Sequence, residues 1–346
     1  MKVILPCAGK SSRFPEMRPK WMLTHPDGDL MVKKAIDGLK GIQNKDIIIT
    51  ILKEHEEKYG ISNGLRENIG KDIQIIILDH PTSSQSETIY LTIKKAKINE
   101  SFLVKDSDNT FEVEVPAENN YICYSDLQNY DEINPANKSY LAINNQGIIV
   151  DFVEKKIIST TFNVGGYFFK SCKKFIEIYE KLSKINLHEL YLSHIVEQMI
   201  MEGEIFLGKE VKNYHDWGTL KDWQRYRQKF KVYFFDIDGV FLKNSAQYHF
   251  PLWKDAEWLK ENLKTLKELS ENPCIQIYFV TSRPEKYRKI LEEKFKKENI
   301  KYSQLIMGCN HAKRVIVNDF SNTSVYPSCE SINIPRDSEE LRKYLN

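Results

Sequence analysis

The sequence predicts an α/β protein in two parts, each built on a parallel sheet covered by helices. Three observations carry this prediction. Short apolar stretches alternate with helical ones in a strand, helix, strand order. Two of those apolar stretches, 2–6 and 231–235, run straight into polar loops with chemistry-capable side chains. Loops at the carboxyl ends of parallel strands are where α/β proteins place their sites. The chain has 346 residues, more than the roughly 100–150 of a usual single domain.

The elements follow in order. Strand 2–6 leads through a long loop to a helix near 30–41. Strand 46–52 is followed by a charged helix and strand 73–79. Between 87 and 97, Ile89, Ile93 and Ala96 recur at helical spacing, so this segment packs on the sheet. Strand 101–105 completes a βαβαβ rhythm. The pattern then changes: 139–154 reads as a hairpin around Asn144, Asn145, Gln146 and Gly147, and 164–169 as a further strand. An antiparallel subdomain appended to a parallel half-sheet fits that order. A helical stretch at 220–230 closes the first part, giving domains 1–229 and 230–346. In the second, strand 231–235 precedes a helix carrying Ala256, Leu259, Leu263, Leu266 and Leu269 on one face. Strand 275–280, a helix near 284–298, strand 314–317 and a last helix near 337–345 make a small doubly wound domain.

Composition narrows the function. Lys plus Arg number 50 against 48 Asp plus Glu, a net charge of +2. That balance argues against a nucleic-acid binder with a strong basic face. No apolar run approaches the ~20 residues of a membrane span, and the N-terminal apolar run is too short for a signal peptide. The six scattered cysteines include no pair at CxxC spacing, so they read as free thiols in a reducing cytoplasm. His25, His80, His188 and His194 form no metal pattern, and the Lys-rich stretch 292–301 reads as a solvated helix face.

The first loop offers Ala8, Gly9, Lys10, Ser11 and Arg13, with Pro19-Lys20 beyond. Small residues after a first strand let backbone N–H groups approach a polyphosphate. Arg13 and Lys20 supply charge for triphosphate oxygens. After strand 101–105, Asp106 and Asp108 stand two residues apart. Two hard oxygen ligands so close can share a Mg²⁺ that bridges nucleotide phosphates. An Asp-rich turn would use the same residues.

Over roughly residues 1–230 the sequence resembles the sugar-nucleotidyltransferase family, whose loop reads Ala-Gly-x-Gly-x-Arg followed by Pro-Lys. Ser11 stands where the second glycine is usual. The resemblance implies a Rossmann-like, GT-A-like mixed sheet and gives further residues their roles. Ser84, Gln85 and Ser86 match the base-contacting segment, with Ser84 at the place of a customary glycine. Glu154 and Lys155 match the acceptor-binding pair, and Gly166 lies in the segment under the acceptor. Asp216 matches a further metal-binding Asp, the partner of Asp106 and Asp108. An acceptor phosphate would attack the α-phosphorus in line and pyrophosphate would leave, with Arg13, Lys20 and Mg²⁺ neutralising charge. Segments 20–28 and 105–109 look closest to cytidylyltransferase-like members of surface-polysaccharide pathways. CTP is therefore the first expectation, with other nucleotides open. The acceptor is a sugar 1-phosphate or a smaller phosphorylated alcohol or amine. A homodimer is allowed.

The second loop places Asp236, Asp238 and Gly239 after strand 231–235. This resembles the first motif of the haloacid-dehalogenase superfamily. The resemblance makes Asp236 the nucleophile that forms an aspartyl phosphate and Asp238 the general acid/base, both beside Mg²⁺. Thr281 and Ser282 match the second motif, Lys313 or Arg314 stands near the place of the third, and Asp319 is the candidate metal ligand. The stretch between Gly239 and Pro273 holds one core helix and leaves no lid, so the expected phosphatase is capless. The competing function is a glycosyltransferase that uses a nucleoside-diphosphate sugar, with a non-catalytic second module. It too would use Asp106 and Asp108, but it needs no loop to grip a triphosphate.

Overall fold

The structure, a computed structural model, describes residues 1–9, 14, 17–130, 133–185, 189–319 and 328–345. They group into two compact units, Met1–Gln224 and Arg225–Asn346.

The first unit begins with β1 (Lys2–Pro6), α1 (Met31–Asp37), β2 (Leu39–Lys40), β3 (Ile47–Leu52), α2 (Lys53–Tyr59), α3 (Ile61–Asn68), β4 (Gln74–Leu78), α4 (Gln85–Ala96) and β5 (Phe102–Lys105). It continues through β6 (Asn109–Glu114), β7 (Asn120–Asp126), β8 (Tyr140–Ile143), β9 (Ile149–Val153), β10 (Thr161–Phe169), α5 (Cys172–Leu182), α6 (Leu192–Met201), β11 (Phe206–Glu210) and β12 (Lys212–Asp216), and the boundary falls within α7 (Leu220–Gln228).

Its main sheet runs β11-β7-β10-β5-β1-β3-β4. Strands β4, β3, β1 and β5 are parallel. Strand β10 enters antiparallel against β5 and β7, and β8 and β9 form the predicted hairpin beside it. The parallel half-sheet with appended antiparallel strands therefore forms as the sequence predicts. Strand β3 is buried along its whole length, because alternate residues feed two cores. Ile47, Ile49 and Ile51 join one, while Ile48 and Leu52 join the other. Each buried aliphatic side chain contributes about 1.5–3 kcal/mol.

A second, three-stranded sheet of order β12-β6-β2 consists of strands the sequence reading missed: β6 and β12 were given no element, and β2 lies inside the helix expected near 30–41. Strand β12 is polar, with Tyr214 its buried residue. Strand β6 alternates cleanly, with Phe111 and Val113 inward.

The second unit contains β13 (Lys231–Phe235), α8 (Lys260–Glu271), β14 (Ile275–Val280), α9 (Arg288–Lys297) and β15 (Gln304–Ile306). Its sheet is parallel in the order β13-β14-β15. Tyr233, Phe235, Ile277, Phe279 and Leu305 face its core.

Several expectations are corrected here. Residues 314–317 form no strand: Val315 and Val317 are 73% and 91% exposed. The third strand is β15 instead, so the strand order is not doubly wound among the described residues. Ala256 and Leu259 are buried but precede α8, in irregular chain. The last helix reduces to a short 3-10 turn at Leu341–Tyr344. All six cysteines are free. Among the described residues no helix is long and apolar enough to cross a membrane.

Candidate functional site

In the first unit, three stretches of chain meet just past the carboxyl ends of β1 and β5. Cys7 and Ala8 leave β1 buried, and Gly9 is exposed. Lys10, Ser11 and Arg13 lie outside the described residues. Lys20 opens a 3-10 turn whose next residues, Trp21 and Met22, are buried in the core. With that turn anchored, the Lys20 ammonium pairs with Asp108 Oδ2. Helix α4 starts at Gln85 because Ser84 Oγ caps it, accepting from the Glu87 N–H. Gln85 Nε2 then donates to Asp106 Oδ1. Ser86 is fully buried, and its Oγ has no hydrogen-bond partner among the described residues.

The backbone fixes the Asp106–Asp108 turn from two sides. The Asp106 N–H donates to the Gly165 carbonyl at 2.8 Å, and the Trp217 N–H donates to the Asp108 carbonyl at 2.8 Å. Gly165 is a required glycine: its φ is +80°, and a Cβ there would stand 2.2 Å from Asp106 Oδ2. Asn163 braces this bend, accepting from the Gly165 N–H at 3.0 Å and donating to the Tyr167 hydroxyl.

Asp216 ends β12, in register with Asn109 of β6. Its Oδ1 accepts from the Gly218 N–H at 2.9 Å, and its Oδ2 pairs with Lys138. Lys138 also donates to the Tyr214 hydroxyl at 2.9 Å.

Burial and charge shape this pocket. Burial first, then the Asp108 charge, pushes the Asp106 carboxyl up. Burial likewise raises the Cys7 thiol to about 12 and holds Tyr167 and Tyr214 well above the usual phenol range. Lys105, given no role in the sequence reading, is wholly buried, and burial lowers it to about 8 against the pull of Asp106, Asp108 and Asp216.

The expected acceptor residues are placed as follows. Glu154 is half-buried and accepts from the Ser139 hydroxyl at 2.6 Å and the Ser193 hydroxyl at 3.1 Å. Lys155 is exposed and donates to the Tyr191 hydroxyl at 3.1 Å. Gly166 packs closely, since a Cβ there would stand 2.8 Å from Cys123 Sγ and from Phe111 Cζ. Burial first, then the charges of Asp106 and Glu154, holds the Tyr167 hydroxyl protonated.

Among the described residues no group of three or more His, Cys, Asp or Glu side chains is arranged to hold a metal ion. The donor set at Asp106 and Asp108 nonetheless fits Mg²⁺ in kind. Both are hard oxygen donors, the chemistry Mg²⁺ prefers. Mg²⁺ usually takes one or two carboxylates and completes its shell with water and substrate phosphate.

In the second unit, Asp236 follows β13 and Thr281 follows β14, on neighbouring strand ends. Arg314 grips Asp236, Nη1 to Oδ2 at 3.0 Å and Nη2 to Oδ1 at 3.2 Å. Arg283 grips Asp238 and also donates to the Trp253 carbonyl at 3.0 Å. Thr281 is buried, and its Oγ1 accepts from the Arg283 N–H at 3.2 Å. Ser282 is half-buried, while Lys313 and Asp319 are exposed. Arg314, beside Lys313, is thus the cation that reaches Asp236. Arg314 is one of the two cations expected near the third motif, whereas the Arg283–Asp238 pair was not foreseen from sequence. The two arginines stand 45 and 78 residues from their partners, and no local spacing announces them.

The chain matches no protein-family model and no curated protein. Solved structures are similar. A nucleoside-diphosphate-sugar pyrophosphorylase from Vibrio cholerae aligns with TM-score 0.54 and 16% identity, over 65% of this chain and 98% of that one. A putative glucose-1-phosphate thymidylyltransferase from Bacillus anthracis aligns with TM-score 0.53 and 20% identity, over 65% and 93%. An inositol-1-phosphate CTP transferase from T. maritima aligns with TM-score 0.50 and 14% identity, over 64% and 90%. At these identities the likeness is one of fold: the chain carries the mixed α/β fold of these nucleotidyltransferases.

Proposed function

We propose that the first unit joins a nucleoside monophosphate from a nucleoside triphosphate to a phosphorylated small molecule and releases pyrophosphate. The observation that carries the reading is the meeting of Lys20, Gln85, Asp106 and Asp108 past the ends of β1 and β5. The shared fold supports it. In this reading Ala8, Gly9, Lys10 and Ser11 receive the triphosphate, and Arg13 and Lys20 neutralise it. Ser84, Gln85 and Ser86 face the base, and Glu154, Lys155 and Gly166 the acceptor. Asp106, Asp108 and Asp216 would hold Mg²⁺, which would supply charge neutralisation at the phosphates. An acceptor phosphate oxygen attacks the α-phosphorus, and the bond to the bridging α–β oxygen breaks. The nucleophile is already an anion, so the protein's task is positioning.

CTP is the nucleotide we propose, with an acceptor that is a sugar 1-phosphate or a small phosphorylated alcohol or amine. The protein would work in the cytoplasm, in surface-polysaccharide synthesis, as a monomer or homodimer. We propose the second unit as a haloacid-dehalogenase-like, Mg²⁺-dependent phosphatase of the same pathway. Asp236 would be its nucleophile, Asp238 its acid/base, Thr281, Ser282 and Lys313 its phosphate site, and Asp319 its metal ligand. One observation favours the alternative of a non-catalytic second unit: Arg314 and Arg283 already occupy both carboxylates.

The test is pyrophosphate release by the full chain with Mg²⁺, each nucleoside triphosphate in turn, and a pool of phosphorylated sugars, alcohols and amines. Release with one nucleotide supports the reading and identifies the base. Silence with all four, together with hydrolysis of a nucleoside-diphosphate sugar, would establish the glycosyltransferase instead.

A further inference from the structure

Lys105 is the last residue of β5 and is 0% exposed. A buried ammonium must spend its three N–H donors or destabilise the fold. This one spends them on a single turn. Nζ donates to the Asp106 carbonyl at 2.7 Å, to the Asn109 carbonyl at 2.9 Å and to Asn109 Oδ1 at 2.6 Å. The ring of Phe111 lies 4.5 Å away. All three partners are neutral oxygens, and they bracket the residues that carry the Asp106 and Asp108 carboxylates. Those carboxylates themselves engage Gln85 and Lys20.

We infer that Lys105 is a positioning residue: its ammonium, fixed inside the 106–109 turn, sets where Asp106 and Asp108 present their oxygens to a divalent cation. The inference rests on the reading of these carboxylates as a metal site, and it names a residue that would act through them without touching substrate. Two physical effects of Lys105 have opposite signs here. As a nearby charge it repels a divalent cation. As a clamp it holds the ligands in place, and loss of such support usually costs about 10–100-fold in metal affinity.

The experiment uses the full-length chain and two variants, Lys105→Met and Lys105→Gln, with folding checked by circular dichroism and melting. Mn²⁺ binding is measured by electron paramagnetic resonance, alone and with CTP. Lys105→Met, which has no donor, is expected to weaken Mn²⁺ binding about tenfold or more. Lys105→Gln, which keeps an N–H₂ donor, is expected to lose less. In pyrophosphate release the loss is expected in kcat, with KM for the nucleotide little changed. Binding in both variants as tight as wild type, or tighter, would overturn the inference, because Lys105 would then act as charge alone. Failure of both variants to fold would overturn it too, since the lysine would be supporting the unit as a whole. No Mn²⁺ binding by the wild type would overturn the metal-site reading and this role with it, an outcome distinct from the other two.

Discussion

Arg283 closes on Asp238 with two bonds, Nε to Oδ2 at 2.9 Å and Nη2 to Oδ1 at 2.6 Å, while itself wholly buried. The pair does structural work whatever chemistry the second unit performs. The same guanidinium ties in the Trp253 carbonyl, and Ser245 Oγ donates to Asp238 Oδ1 at 3.3 Å. Residues 238–253 are thereby gathered around one cation.

Removing one partner of such a pair strands the other without its counter-charge. Arg283→Met is therefore expected to destabilise the second unit by about 3–5 kcal/mol. Hydrogen exchange across β13, β14 and β15 in the full chain measures this locally. Protection unchanged to within a factor of ten would refute it.

Gly165→Ala places a methyl group where Asp106 Oδ2 now stands and forces a non-glycine residue to φ +80°. The carboxylate must move. We expect pyrophosphate release to fall about 100-fold, the usual penalty for misplacing a reacting group by about 1 Å. Far-UV circular dichroism should stay unchanged. Full activity in this variant would mean that Asp106 takes no part.

Lys20→Met is expected to cost about 10²–10³ in kcat for nucleotidyl transfer, the scale set by removing one preorganised electrostatic partner. Hydrolysis of a phosphate ester by the second unit should be untouched, whereas Asp236→Asn should abolish that activity and spare the first. A simultaneous loss of both activities in a folded Lys20 variant would refute the division of labour.

His25 and His55 are buried, and burial is the largest cause holding both imidazoles below their usual range. Both are therefore neutral in the folded state at pH 7. The unfolded chain takes up protons near the ordinary value of about 6.5 and the folded chain resists, so stability falls as pH drops through that value. His55 Nδ1 has no hydrogen-bond partner among the described residues. His55→Phe should therefore flatten the loss of melting temperature between pH 7.5 and pH 5. An unaltered slope would clear His55 as a source.

The parallel half-sheet was legible because its short strands are mostly apolar, as at Ile47–Leu52 with Thr50 its one polar residue, a pattern that fits strands buried on both faces. The Asp106–Asp108 turn was legible for a related reason: polar residues directly after such a strand have little else to do. Other features left no local trace. Val315, Ile316 and Val317 have strand composition yet lie exposed, while Gln304–Ile306 buries one residue and still pairs with β14. Pairing depends on the neighbour, which a single stretch of sequence does not contain. Ala256 and Leu259 continue the helical spacing of α8 but are buried from irregular chain. Lys105 escaped notice because lysine is ordinarily a surface residue. The available signal was a charge placed inside an otherwise apolar strand end, Phe102-Leu103-Val104.

The pairing of β12 with β6 joins residues 101 apart at the bond from Asn213 to Glu112, and it brings Asp216 beside the turn that holds Asp108. Closing so long a loop comes late in folding, because its entropy must be met before the contact repays it. A refolding chain thus forms its local helices before the long-range pairings of β1 with β5 and of β12 with β6 that frame the Asp106–Asp108 turn. Recovery of pyrophosphate release after dilution from denaturant will lag behind recovery of the helical far-UV signal, and that lag times the arrival of these long-range strand pairings.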